Sequence, residues 1–258
     1  MATLETVLDG LVTFWKNSRF RKNLPWIFLF ISFVGSFIKY MELLPDSYFN
    51  YKRNVLNVYF VKLAWGWTFS LLLPFIAISS YSQNDLSFVL KRLCSLLVGT
   101  VIWYTCTHIF FYIEDLTGAC YNPEAKDVIL EEFQSKLDCK KGGHQWQGFD
   151  ISGHSFLLSY SSLLIVEEMA AMVNLKKDGL YFQTYKNVVL CVLYFALQVI
   201  IAIWGWMFIC TSVYFHNIEH KLLGTACGLL VWYLTYRLWY QKTLSPGLPA
   251  QPKDGKQK

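Results

Sequence analysis

Six apolar runs, each about 20 residues long, constrain this chain more than anything else in it. A hydrocarbon core is crossed by a helix of about 20 mostly apolar residues. The runs cover residues 24–44, 55–79, 93–113, 154–173, 188–212 and 222–240. Only 16% of the chain is charged, against about 25% in soluble domains. The fold expected is therefore an all-α integral membrane protein with six transmembrane helices. Lys39 interrupts the first run near its end, where a long side chain can snorkel to the interface. A cleaved signal peptide fits that run poorly, because its charges come late and no small-residue cleavage site follows.

With six spans both termini lie on one side. Thirteen Lys and Arg fall in the segments of that side and eight in the opposite loops. The positive-inside rule then places both ends in the cytosol. The net charge of +5 is scattered over loops with no basic face, so nucleic acid is not an expected partner. The expected organisation is a cytosolic amphipathic segment (1–22), a six-helix transmembrane domain (23–241) and a disordered cytosolic tail (242–258). In the first segment Leu4, Val7, Leu8, Leu11, Val12 and Trp15 share a helical face. A helix lying on the membrane and one packed on the bundle both fit that pattern. The large polar loop of the domain, 114–153, would face away from the cytosol, and its stretch "KDVILEEFQSKL" predicts a short surface helix. Five of the seven cysteines lie in the apolar runs. Cys120 and Cys139 share the large loop, whose compartment allows a disulfide between them. No Cys/His spacing calls for zinc, and no cofactor or metal is expected.

The polar residues that could carry chemistry gather on the non-cytosolic face. His154 opens the fourth run in "GFDISGH", and His216 and His220 follow the fifth in "VYFHNIEHK". Lys52 and Arg53 precede the second. A neutral histidine can attack a phosphoryl group while a protonated one supplies a proton to the leaving oxygen. Basic side chains can hold the phosphate, and Ser152 and Gly153 sit at a predicted helix N-terminus, where free N–H groups favour an anion. This makes His154 and His216 candidate catalytic residues, and Lys52, Arg53, Ser152 and Gly153 candidate substrate-binding residues. "GHSFL" also resembles part of a G-x-S-x-G nucleophile elbow with Ser155 as nucleophile. Leu157 stands where the last glycine belongs, and the elbow needs a soluble sheet. Glu167 and Glu168 lie at the far end of the same helix, as an interfacial pair or as partners of Lys62 or Arg237. His108 could line the site or be packed. No pair of broken helices in corresponding halves suggests a transporter.

The segments "LPDSYFNYKRNVLNVYFVKLAWGWTF", "LLVGTVIWYTCTHIF", "GFDISGHSFLL", "VYFHNIEHKLLGT" and "LSPGLP" closely resemble the fat storage-inducing transmembrane (FIT) family, in its animal type-two branch. The likeness runs from about Leu24 to Pro249. It implies an endoplasmic-reticulum membrane protein with six spans, cytosolic termini and a role in lipid-droplet formation. The family is also similar to lipid phosphate phosphatases, which implies a lipid-phosphatase-like helical core and a lumenal active site. By that likeness His154 is the general acid and His216 the nucleophile. The implied reaction is acyl-CoA diphosphatase: fatty acyl-CoA is cleaved to acyl 4'-phosphopantetheine and adenosine 3',5'-bisphosphate. The alternative is a non-enzymatic protein that binds diacylglycerol or triacylglycerol and partitions it into droplets.

The sequence departs from the phosphatase pattern in three places. Cys210 stands in the position of an arginine six residues before the nucleophile, and His220 in that of an acid four residues after it. Lys52 and Arg53 are adjacent, with no Arg-Pro pair. The phosphate clamp is thus not carried over by motif, and what orients His216 stays open.

Overall fold

The computed structural model describes residues 2–17, 19–81, 86–122, 129–130, 132–133, 135–177 and 184–249. It is a helical bundle around one buried helix. In chain order the elements are α1 (Ala2–Asn17), α2 (Arg19–Tyr40), α3 (Ala64–Tyr81), α4 (Leu86–Thr117), β1 (Ala119–Tyr121), α5 (Lys136–Lys141), β2 (Gln145–Gln147), α6 (Gly153–Glu168), α7 (Met172–Lys177), α8 (Tyr185–Tyr214) and α9 (Ile218–Trp232).

Four stretches are long and apolar enough to cross a membrane: Arg19–Tyr40, Leu86–Thr117, Gly153–Asn174 and Tyr185–Tyr214. The other two predicted runs are helical but not regular. A π-helical turn, Asn57–Val61, precedes α3, and another, Tyr233–Trp239, continues α9. Such turns widen the helix locally and leave shorter regular pieces. Helices α2, α6, α8 and α9 run between two ends of the bundle that differ in their polar contacts. At one end Lys39 reaches His216 and Lys221 reaches Ser212. At the other, Arg21 and Arg237 meet Glu167, Arg92 meets Glu168, and Lys186 lies over the Tyr81 ring.

The buried helix is α6, from Ser155 to Glu168 without an exposed position. Its serines make that possible. Ser159 and Ser162 donate to carbonyls one turn back, so their hydroxyls enter the core satisfied. Helix α9 presses closest against it through Gly224 and Gly228, spaced by four on one face. A Cβ on Gly224 would lie 2.4 Å from the Ser152 carbonyl oxygen, and one on Gly228 2.8 Å from that of Phe156. Small residues at this spacing let membrane helices pack backbone to backbone.

Helix α1 packs on the bundle. Leu8, Val12 and Trp15 are buried, the Trp15 indole donates to Gln198, and Lys176 reaches Thr13. Leu4, Val7 and Phe14 stay exposed on its outer side. In the large loop Cys120 and Cys139 form a disulfide, joining β1 to α5 beside the β1–β2 pair. The short helix predicted across 126–137 lies later, at α5. Ile129 instead bridges Tyr121 as extended chain, and residues 126–128, 131 and 134 lie outside the described residues. Of the predicted tail, residues 242–249 fold back: Gly247 accepts a hydrogen bond from Arg92, and Leu248 packs on the core. Residues 250–258 lie outside the described residues.

Candidate functional site

The two candidate catalytic histidines reach one cavity from different helices. His154 is the second residue of α6. His216 sits in the turn between α8 and α9. Both line a cavity of about 380 Å³ whose other walls include Asp150, Gly153, Lys62, Thr107, Val61, Phe110, Phe111 and Leu157. Its lining mixes polar groups with apolar side chains. Phe111, one of the lining residues, is 60% exposed on the outside of α4.

Each histidine is fixed by local chain geometry. Ser152 caps α6: its hydroxyl accepts from the Ser155 N–H at 3.2 Å, which satisfies one of the free donors of the first turn. Its own N–H donates to the His220 carbonyl, tying the start of α6 to the turn that carries His216. His216 has a φ of 48°, left-handed backbone uncommon for a residue with a side chain. Two lysines hold that turn in place. Lys39 donates to the His216 carbonyl and Lys221 to the Ser212 carbonyl, each at 2.6 Å. Lys221 is fully buried. Cations here also oppose the negative end of the α8 dipole.

The imidazole of His216 is 20% exposed. Burial first, then His220, Lys39, Lys52 and Lys221, lower its pKa from 6.5 to about 4. The shift favours the neutral ring, which keeps a lone pair on one of its nitrogens. Its Nδ1 lies 3.4 Å from Asp150 Oδ2. The charged or titratable neighbours of His154 are His216, Lys62, Asp150 and Lys52.

The remaining sequence candidates fare unevenly. Gly153 lines the cavity, and a Cβ there would meet nothing within 4 Å. Ser152 is buried and committed to the cap and to the Ser155 hydroxyl, which donates to it at 2.9 Å. It supports the helix start and does not present its oxygen to the cavity. Ser155 is likewise fully buried and no elbow nucleophile. Lys52 is exposed and near enough to act electrostatically on both histidines. Arg53 is exposed and outside the cavity lining. His108 is exposed on α4, its ring 4.1 Å from that of Tyr104. His220 turns aside against Phe149, ring centroids 4.6 Å apart.

Lys62 and Asp150 are the cavity groups that the sequence reading did not place there. Lys62 and Arg237 were the two cations weighed as partners of the glutamates at the other end of α6. Those are satisfied locally: Glu167 accepts from Arg21 at 2.7 Å and Arg237 at 2.8 Å, and Glu168 from Arg92 and Tyr236. Fourteen residues of helix separate Glu168 from His154, about 21 Å at 1.5 Å per residue. A signal for Asp150 existed, since it is the nearest acid to His154 in the same loop.

The family profile described as "Fat storage-inducing transmembrane protein" matches residues 45–190 and 173–236. The chain belongs to that family. It is 55% identical to the acyl-coenzyme A diphosphatase FITM2 of Danio rerio over 252 residues, 98% of each chain. It is 48% identical to that of Xenopus tropicalis, over 96% of this chain and 94% of the relative. With the human protein of the same name it shares 50% over 90% of this chain and 87% of the relative. No solved structure matches. The matched segments contain Lys62, Asp150, His154 and His216, so the whole cavity falls within the part that defines the family.

Proposed function

We propose that this family member is an acyl-CoA diphosphatase of the endoplasmic-reticulum membrane. Fatty acyl-CoA is its substrate, and acyl 4'-phosphopantetheine and adenosine 3',5'-bisphosphate are its products. The reading draws on relatives that carry the activity in their names. The single observation that carries it to particular residues is the shared cavity, lined by two histidines, a lysine and an aspartate together with apolar side chains.

In this reading a neutral His216 attacks one phosphorus of the pyrophosphate. A P–N bond forms and the P–O–P bridge breaks. The departing phosphate oxygen takes a proton from His154. His154 then accepts a proton from water as the water oxygen replaces His216 on phosphorus, which restores both rings. Lys62, with Lys52 behind it, neutralises the phosphate oxygens as charge builds. The free N–H groups at Gly153 and His154 add the positive end of the α6 dipole. The acyl-pantetheine arm lies along Phe110, Phe111 and Leu157 toward the bilayer. All six helical passes span the membrane, the termini are cytosolic and the histidines face the lumen.

The test incubates purified protein in detergent with a long-chain acyl-CoA and follows acyl phosphopantetheine by mass spectrometry. Wild type yields product, while His154→Ala and His216→Ala, equally folded, do not. Equal product from all three would remove the histidines from the mechanism. No product from any of them, with diacylglycerol or triacylglycerol still bound, would favour the lipid-binding reading.

A further inference from the structure

The acid expected four residues after His216 is absent, and the loop before α6 provides one from elsewhere. Asp150 Oδ2 lies 3.4 Å from His216 Nδ1, and both residues line the same cavity. The loop that carries Asp150 is anchored on both sides of the contact. Ile151 and Ser152 are buried directly after it, and the Ser152 N–H bonds the His220 carbonyl. Phe149 just before it donates its N–H to Thr117 at 2.9 Å. From the opposite direction Lys39 holds the His216 carbonyl at 2.6 Å. The His216 backbone is thus held by Lys39, while its ring faces the carboxylate of Asp150.

The chemistry of that contact is specific. A neutral imidazole carries one proton on one of its two nitrogens, and a carboxylate can only accept. A ring whose Nδ1 faces Asp150 keeps its proton there and leaves the Nε2 lone pair free. We infer that Asp150 is the positioning residue of His216: it selects the Nδ1–H tautomer and makes Nε2 the atom that attacks phosphorus. This rests on the reading of His216 as nucleophile. Once Nε2 carries the phosphoryl group, the ring is cationic with its proton on Nδ1, and Asp150 is the counter-charge. The other charged or titratable groups around His216 are Lys39, Lys52, Lys221, His220 and His154, none of which can supply it. Glu219 faces His220 instead, at 3.8 Å.

The experiment measures kcat, KM and the pH profile of full-length wild type, Asp150→Asn, Asp150→Glu and His216→Ala on a long-chain acyl-CoA. An asparagine can donate to Nδ1 and stabilise the wrong tautomer. We expect Asp150→Asn to lose about 10²- to 10⁴-fold in kcat with KM nearly unchanged, the upper figure being that of the equivalent change in a serine-protease triad. Asp150→Glu recovers part of the loss. The acid limb of kcat/KM moves to lower pH in Asp150→Asn, because the lost carboxylate had favoured the protonated ring. Asp150→Asn with wild-type kcat and an unmoved limb, beside an inactive His216→Ala, overturns the inference and leaves the proposed function standing. An effect on KM alone, or a lowered melting temperature that glutamate does not rescue, overturns it as well. Wild-type activity in His216→Ala removes the nucleophile itself, and the role of Asp150 with it.

Discussion

Replacing Gly224 by alanine should separate the two histidines without touching either. The added Cβ would lie 2.4 Å from the Ser152 carbonyl oxygen and 3.2 Å from its carbonyl carbon, whereas ordinary contact begins near 3.4 Å. Helix α9 and the start of α6 must part by about 1 Å at that point. The obstacle is backbone at a capped helix start, so no side chain can rotate aside. Overpacking of this kind costs about 1–3 kcal/mol. The local consequence for catalysis is larger. His154 lies two residues beyond Ser152, while His216 leads into α9, and the Ser152–His220 hydrogen bond joins the two parts. A displacement of about 1 Å between reacting groups can cost about 10²-fold in rate. Gly205 in α8 is the control, because a Cβ there meets nothing within 4 Å. Glycine to alanine in an open helix position is neutral or favourable by up to about 1 kcal/mol. The assay is acyl-CoA hydrolysis per folded molecule, beside thermal unfolding in detergent. We predict kcat lowered about 10²-fold in Gly224→Ala, with wild-type kcat in Gly205→Ala. Wild-type kcat and melting temperature in Gly224→Ala would refute the claim that this close approach sets the histidine geometry.

Two further predictions follow from groups at either end of α6. Glu168→Ala leaves Arg92, 1% exposed, without its carboxylate and Tyr236 without its acceptor. It should destabilise the bundle by about 3–5 kcal/mol in denaturation measured in mild detergent. His216 binds a proton less readily folded than unfolded, so the unfolded chain takes up more protons as pH falls from 6.5 toward 4. Its contribution is complete above pH 6.5 and is lost as pH falls to about 4, a change of up to about 3 kcal/mol. Melting curves of wild type and His216→Gln across that window should converge as pH drops, and parallel curves would contradict the shift.

The two histidines were legible as candidates because His154 opens one long apolar run and His216 lies four residues past the end of another. Their meeting in one cavity was not, since it depends on how α6 packs against α8 and α9. The Gly224 and Gly228 spacing that sets this packing is visible in the sequence but reads as ordinary apolar helix without a facing partner. The pairing of Asp150 with His216 was hidden for the same reason. Nothing local says that an acid before α6 faces a ring 66 residues later. Of the two cations weighed as partners of the glutamates, Arg237 meets Glu167 and Lys62 does not, because Lys62 lines the cavity at the other end of α6. The two π-helical turns left no periodic signal. Among the described residues they lie where Tyr236 and Arg237 reach adjacent glutamates, and where the chain enters α3 beside the cavity.

The central claim is that His216 is the nucleophile of a phosphoryl transfer in this cavity. Its most direct test is a rapid alkaline quench of the protein turning over acyl-CoA labelled in its pyrophosphate, followed by peptide mapping. The account predicts label on His216 and none in His216→Ala, which should also fail to turn over. Label on a different residue, or turnover by His216→Ala within about tenfold of wild type, would contradict it.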